Sequence, residues 1–101
     1  MNFSPDKDPE DLEFHLYGIF DKEENNDVFK YGISSEELNK NGTSGRANKQ
    51  VNFLNRAVGW LRYHAQVLIV KIKGLSKAEE LEKEKISEYE KKHGKKPKGN
   101  Q

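Results

Sequence analysis

Alternation and periodicity divide the chain into five structured stretches. Glu13 to Phe20, with Phe14, His15, Leu16, Tyr17, Gly18 and Ile19 inside it, has the aromatic and branched content of a β-strand, and Val28 to Ser34 repeats that character after the polar run Asp21 to Asp27. The two predict a hairpin. Each strand sets a glycine directly beside a tyrosine (Tyr17-Gly18, Tyr31-Gly32), which weakens it as a strand and predicts that backbone or ligand comes close there. Ser35 to Gly45, rich in Asn, Gly, Ser and Thr, reads as a loop. From Arg46 the period becomes helical, with Val51, Leu54, Val58 and Leu61 in one stripe, Ala47 behind them and Ser44 placed to cap the helix. His64 to Lys73 is the most hydrophobic run and predicts a central strand buried on both faces. The order strand, strand, helix, strand, helix predicts an α+β fold: a small three-stranded antiparallel sheet flanked by helices.

The last helix carries the first chemical signal. Ser76 followed three residues later by Glu79 has the pattern of a capping box. From there, at about 100° per residue, Ala78, Glu82, Ile86 and Tyr89 fall within about 80° of one another, with Leu81 just to one side. Glu82 lies inside this apolar stripe, whereas the other five glutamates of the helix lie on its flanks or back. A carboxylate on a core-facing stripe costs free energy unless it is paired, protonated or bound to a metal, which makes Glu82 a functional candidate; chance placement in a glutamate-rich helix is the plainer alternative. Gly94 suits a left-handed helix end, and Pro97 prevents the helix from resuming. The tail Lys95 to Gln101 is basic and reads as extended or as a frayed end.

With 101 residues, 33% hydrophobic and 35% charged, the chain has room for one domain with a thin core. Residues 1–12, with two prolines and four acids after Met1, read as a flexible acidic lead or linker, and 13–101 as the domain. The absence of cysteine excludes disulfides and thiolate metal sites. No apolar run approaches the roughly 20 residues of a membrane span, and the acidic start lacks the basic and then apolar order of a signal peptide. The formal charge of +1 hides a division: residues 1–45 hold 4 basic against 11 acidic side chains, and residues 46–101 hold 14 against 6. Either the second half offers a face for a polyanion or the halves partly neutralise each other in the fold. Arg46, at the start of the first helix, suits a phosphate beside free N–H groups, or is an ordinary surface arginine.

The strands carry a resemblance. His15-Leu16-Tyr17 and Lys30-Tyr31-Gly32 stand where GIY-YIG nucleases have Gly-Ile-Tyr and Tyr-Ile-Gly. A longer similarity, to the branch of that superfamily found as C-terminal toxin modules of bacterial polymorphic toxins, covers Leu16 to Gln101. It includes Lys30 to Ser34, Asn39 to Ser44, Arg46-Ala47-Asn48, Gln50-Val51-Asn52 and the ending from Gly94 through Gly99-Asn100-Gln101.

The resemblance implies that Tyr17 helps activate the attacking water, that Arg46 stabilises phosphate charge, that Glu82 binds one divalent metal, Mg²⁺ or Mn²⁺, and that Asn100 supports the site. Either Lys30 or Tyr31 takes the place of the second family tyrosine; on a strand they point to opposite faces. Gln50 stands where several relatives have His or Tyr. Glutamine is no general base, so that burden shifts to Tyr17 or the metal. A free tyrosine ionises only near about pH 10, so Arg46, Lys30 and the metal are expected to lower the value for Tyr17. His15 and His64 are each either a ligand or proton shuttle or a partly exposed strand residue, and His93 suits a helix C-terminus. Trp60 and Tyr63 read as core or rim, with Tyr63, Arg56 and Arg62 able to stack on bases.

By this resemblance the chain is a metal-dependent endonuclease hydrolysing DNA. It would be an antibacterial toxin domain neutralised by an immunity protein, tethered to a larger secreted delivery protein and acting in the cytoplasm of the target cell. The alternatives are a ribonuclease on the same fold, a non-catalytic nucleic-acid-binding module, and a domain that docks an acidic protein.

Overall fold

The structure, a computed structural model, describes residues 8–101. Its elements are β1 (Glu13–Asp21), β2 (Asp27–Ser34), α1 (Gly45–Val58), β3 (Tyr63–Lys73) and α2 (Leu75–His93), with single 3₁₀ turns at Pro9–Asp11, Lys22–Glu24 and Lys98–Asn100. The three strands form one antiparallel sheet in the order β2-β1-β3. This is the α+β architecture expected from the hydrophobic pattern. No helix among the described residues is long and apolar enough to cross a membrane.

The central strand is β1, not β3. Phe14 and Leu16 point to one face and Tyr17 and Ile19 to the other, all buried. On the first face they meet Ile72 and, from α2, Ala78 and Leu81; on the second they meet Tyr63 and, from α1, Ala47, Val51 and Leu54. The two helices thus cover opposite faces. Although β3 is the most apolar run, it lies at an edge, where Leu68 is 36% and Val70 46% exposed. Its ladder is interrupted near Lys71, whose φ of 57° is left-handed. Hydrophobicity alone does not choose a neighbour; β1 occupies the centre because it alone is paired on both sides and apolar on both faces.

In α2 the predicted stripe holds: Ala78 and Tyr89 are buried, Leu81, Glu82 and Ile86 are half-buried, and the Tyr89 hydroxyl donates to Asp27 at 2.7 Å. The capping box does not form. Ser76 lies inside the helix, one residue after its start at Leu75, so its hydroxyl cannot serve as the N-cap. Instead the carboxylate of Glu10 accepts from the Ser76 backbone N–H (3.0 and 3.1 Å) and hydroxyl (2.6 Å). Leu12 O accepts from the N–H of Gly74 at 2.9 Å. Residues 1–7 of the expected lead lie outside the described residues, and residues 8–12 are anchored to the start of α2 by these contacts.

In α1 Ser44 caps as expected, its Oγ accepting from Ala47 N at 3.2 Å, but the helix stops at Val58 because Gly59 turns left-handed (φ 84°). Val58 is therefore 39% and Leu61 72% exposed rather than part of the stripe. The chain is turned into β3 by Asn55, whose side chain bonds both the N–H (2.7 Å) and the C=O (3.1 Å) of Tyr63.

The basic tail is neither extended nor frayed. Pro97 is fully buried, and the turn Lys98–Asn100 lies along β2. The Asn100 side chain accepts from Tyr31 N at 2.8 Å and donates to Tyr31 O at 2.9 Å, so one amide stands in for a strand at this edge.

Candidate functional site

The site grows from one pairing in the sheet. Tyr17 lies opposite Gly32 in the β1–β2 register, and its ring runs across β2 in the space a side chain at position 32 would fill. A Cβ on Gly32 would collide with Cζ and the hydroxyl of Tyr17 and lie 2.8 Å from its Cε1. The tyrosine–glycine pairs marked in the sequence therefore have a physical reason here: only glycine lets the phenol cross the strand.

Gln50 reaches the phenol from α1, and Lys30 on β2 reaches Gln50. Gln50 donates through Nε2 to the Tyr17 oxygen at 3.0 Å, and Lys30 donates through Nζ to Gln50 Oε1 at 3.2 Å. Lys30, Gln50 and Tyr17 thus form one chain of hydrogen bonds from strand to helix to strand. From the sequence alone Gln50 is only a residue that cannot act as a base. Its amide donates through one atom and accepts through another, so it can bond the Tyr17 oxygen and the Lys30 ammonium at once.

Burial pushes the Tyr17 phenol above its ordinary value; the Gln50 hydrogen bond and the Arg46 charge act in the opposite direction, while Glu82 and Glu36 add to the rise. Arg46 thus lowers the value as expected, but burial outweighs it, because Tyr17 is only 1% exposed. Glu82 is likewise raised by burial, with the Lys30 ammonium pulling it back and Glu79 adding to the rise. These mutual effects bring Tyr17, Lys30, Arg46 and Glu82 into one electrostatic neighbourhood, although Arg46 comes from α1 and Glu82 from α2.

Arg46 is half-exposed at the first turn of α1 and 3.9 Å from Glu36, a loose contact that leaves the guanidinium available to an anion. The start of α1 is fixed from beneath by His15, which is buried and shares a 2.7 Å hydrogen bond between its Nε2 and Ser44 Oγ. Burial lowers its pKa, with Glu36 raising it. His15 is thus a buried support of the cap rather than a partly exposed strand residue. His64 stacks on Phe20 and pairs with Asn26 at the hairpin end, and His93 stacks on Tyr89. Tyr63 is core, edge-on to Phe29 and beneath Arg62.

Lys30 and Tyr31 separate as strand geometry requires. Lys30 faces Gln50; the Tyr31 ring packs on the α2 side with Ile33, Leu16 and Leu81, where burial raises its pKa, aided by Glu88 and Asp27. The Tyr31 phenol is therefore apart from Tyr17, and only the Tyr31 backbone, clasped by Asn100, borders the site.

Among the described residues no group of three or more His, Asp or Glu side chains forms a metal cage. A single carboxylate such as Glu82 still fits Mg²⁺, which keeps most of its waters and takes one or two carboxylates plus substrate phosphates. The charge division of the sequence is partly cancelled in the fold: Arg62 grips Asp21 with two 2.8 Å bonds and lies 3.8 Å from Glu23, and Arg46 faces Glu36, each pair joining the basic half to the acidic one.

Residues 7–94 match the family model Tox-URI2, described as URI fold toxin 2. The chain belongs to the URI fold toxin 2 family. No curated protein and no solved structure matched it. Membership makes the chain a toxin module of the polymorphic-toxin type. The matched span of this URI fold toxin contains Tyr17, Lys30, Arg46, Gln50 and Glu82, and Asn100 lies beyond it.

Proposed function

We propose that this toxin module is a metal-dependent endonuclease of the GIY-YIG type that hydrolyses DNA phosphodiester bonds. The observation that carries the reading is the hydrogen-bonded chain Lys30–Gln50–Tyr17 laid over Gly32, in the electrostatic reach of Arg46 and Glu82. It joins a phenol, two cations and a half-buried carboxylate, the group types that phosphodiester hydrolysis requires.

Arg46 and Lys30 hold the phosphate and offset the negative charge that grows on its oxygens. Water attacks phosphorus, the bond from phosphorus to the leaving oxygen breaks, and the proton lost by water passes to the ionised Tyr17 oxygen. Gln50 steadies that oxygen by donating to it. The leaving oxygen is protonated from solvent. Glu82 would hold a divalent cation, which would supply Lewis acidity to the phosphate and neutralise a carboxylate that raises the Tyr17 pKa. Of the two candidates for the second tyrosine position Lys30 takes the role, and Asn100 holds β2 from its outer edge.

As a toxin of this class the domain would be carried by a larger secreted protein, act in the cytoplasm of the target cell and be blocked by a cognate immunity protein. The decisive experiment incubates supercoiled plasmid and a structured RNA with the purified protein and Mg²⁺, beside Glu82→Ala and an EDTA control. Plasmid relaxation that needs both the metal and Glu82 is expected. Cleavage of RNA alone would make it a ribonuclease, and no cleavage with any divalent metal would remove the enzyme reading.

A further inference from the structure

A groove of 410 Å³ opens beside Lys30 and Gln50, between β2, α1 and the C-terminal turn. Its size falls in the range of small-ligand sites, about 300–1,000 Å³. Phe29 and Leu54 form its apolar wall, Phe53 stands at its edge, Lys49 and Lys30 flank it, and Gly99 closes it from the tail. A Cβ on Gly99 would lie 2.8 Å from both Phe29 and Lys30, so the tail seats tightly against this wall.

Phe53 is 71% exposed and the core does not use it, since its neighbour Leu54 already fills the α1 side, so its ring is free to meet a ligand. Helical spacing sets Phe53 one turn after Lys49 and Gln50, so an aromatic face, an ammonium and the amide that touches Tyr17 line one side of α1. A duplex keeps its bases stacked within itself and offers phosphates outward. An aromatic-lined depression between two lysines suits the opposite presentation, an unpaired base with its own phosphates on either side.

We propose that this groove receives one unpaired nucleobase of the substrate strand, stacked on Phe53, with the flanking phosphates held by Lys49 and Lys30. The substrate is then a single-stranded or locally opened segment, and the base in the groove is a near neighbour of the scissile phosphate because Lys30 and Gln50 serve both places. The inference rests on the nuclease reading, but its test does not depend on cleavage.

A series of single-stranded oligonucleotides, each with 2-aminopurine at a different position, is titrated in EDTA at low salt with the wild-type protein, Phe53→Ala and Phe53→Tyr. Binding of wild type is expected to quench one position selectively. Phe53→Ala should abolish that quench and weaken binding about 5- to 150-fold, the range set by the stacking of one base on an aromatic side chain. Phe53→Tyr should restore both. An abasic nucleotide at the quenched position should bind wild type as weakly as the intact strand binds Phe53→Ala. Because Phe53 is exposed, the alanine variant should melt with wild type, which separates lost stacking from lost folding. Equal binding and quench in wild type and Phe53→Ala would overturn the groove assignment, as would failure of wild type to bind any single strand. Plasmid cleavage in Mg²⁺, scored separately, would in either case decide the nuclease reading on its own.

Discussion

Replacing Gly32 with alanine tests the geometric heart of the site. The added methyl would fall on Cζ and the hydroxyl of Tyr17, 2.8 Å from Cε1, and a ring that is only 1% exposed has nowhere to retreat. Overpacking of this kind costs about 1–3 kcal/mol, and loss of the Gln50 hydrogen bond adds about 0.5–1.5 kcal/mol. Removing a glycine from a strand returns about 0.5–1 kcal/mol. The expected net loss is about 0.5–4 kcal/mol, centred on about 2, which for a domain of this size lowers the melting temperature by roughly 10–15 °C. Activity should fall further than stability, because an approximately 1 Å displacement of a reacting group can cost about 100-fold in rate. The assay pairs thermal unfolding by circular dichroism with plasmid nicking at a temperature where both proteins remain folded. Gly18→Ala is the control: its methyl would meet Phe20 Cε1 at 2.9 Å and Leu68 Cδ1 at 3.2 Å, on the other face of the sheet, and should spare nicking. In a Tyr17→Leu background the penalty for Gly32→Ala should shrink, since the two residues are coupled through the clash. Wild-type melting and nicking in Gly32→Ala, or equal damage to nicking from Gly18→Ala, would refute the argument.

Glu10→Ala should lose the anchor at Ser76 and about 1 kcal/mol of stability in thermal unfolding, whereas Glu79→Gln should melt with wild type because Glu79 caps nothing. Asn100→Ala should cost about 0.5–1.5 kcal/mol, speed hydrogen exchange at the Tyr31 amide and reduce nicking through the loosened edge of β2. The Arg62 guanidinium holds the Asp21 carboxyl below its ordinary 3.8, so this pair stabilises the fold above that pH and ceases to do so as pH falls through the depressed value. Asp21→Asn should accordingly melt lower than wild type at pH 7, with the two curves converging under strong acid. Gln50→Met removes a donor that opposes the burial of Tyr17; the phenol then ionises at still higher pH, and the rising limb of the pH–rate profile should move to more alkaline values. A limb left in place would show that Tyr17 is not the group titrating.

The parts of the molecule that could be read from sequence are those fixed within a few turns of chain. The stripe of α2 exposed Glu82 as an acid on an apolar face, Ser44 announced the start of α1, and the glycines beside Tyr17 and Tyr31 marked a close approach that Gly32 makes. What failed depended on partners far along the chain. Ser76 and Glu79 satisfy the local pattern of a capping box, but Glu10, 66 residues away, supplies the carboxylate. The apolar run of β3 resembles a central strand, yet strand order is decided by which segment is paired on both sides, and composition does not carry that. Gln50 looked like a loss because its value lies in bridging Lys30 and Tyr17, one contact 20 and the other 33 residues distant. The tail has no periodicity of its own; its structure is borrowed from the open edge of β2.

That open edge explains why the candidate groups assemble where they do. Arg46 and Glu82 belong to helices on opposite faces of the sheet, and the proposed site, which draws on both, calls for a stretch of strand without a bulky side chain between them. The β2 edge meets that condition at Gly32, which has no side chain on the α1 face and so admits the Tyr17 phenol. Lys30, two residues earlier on the same face, brings a cation beside it. An exposed edge would ordinarily invite another strand, but Asn100 occupies the backbone groups of Tyr31 and blunts it there. Since β1 alone sets the separation of the two faces, a core change at Leu16 or Ile19 that shifts one helix should alter the placement of Arg46 relative to Glu82. Activity should then be lost in variants such as Ile19→Ala under conditions where the fold persists, although Ile19 is wholly buried in the core.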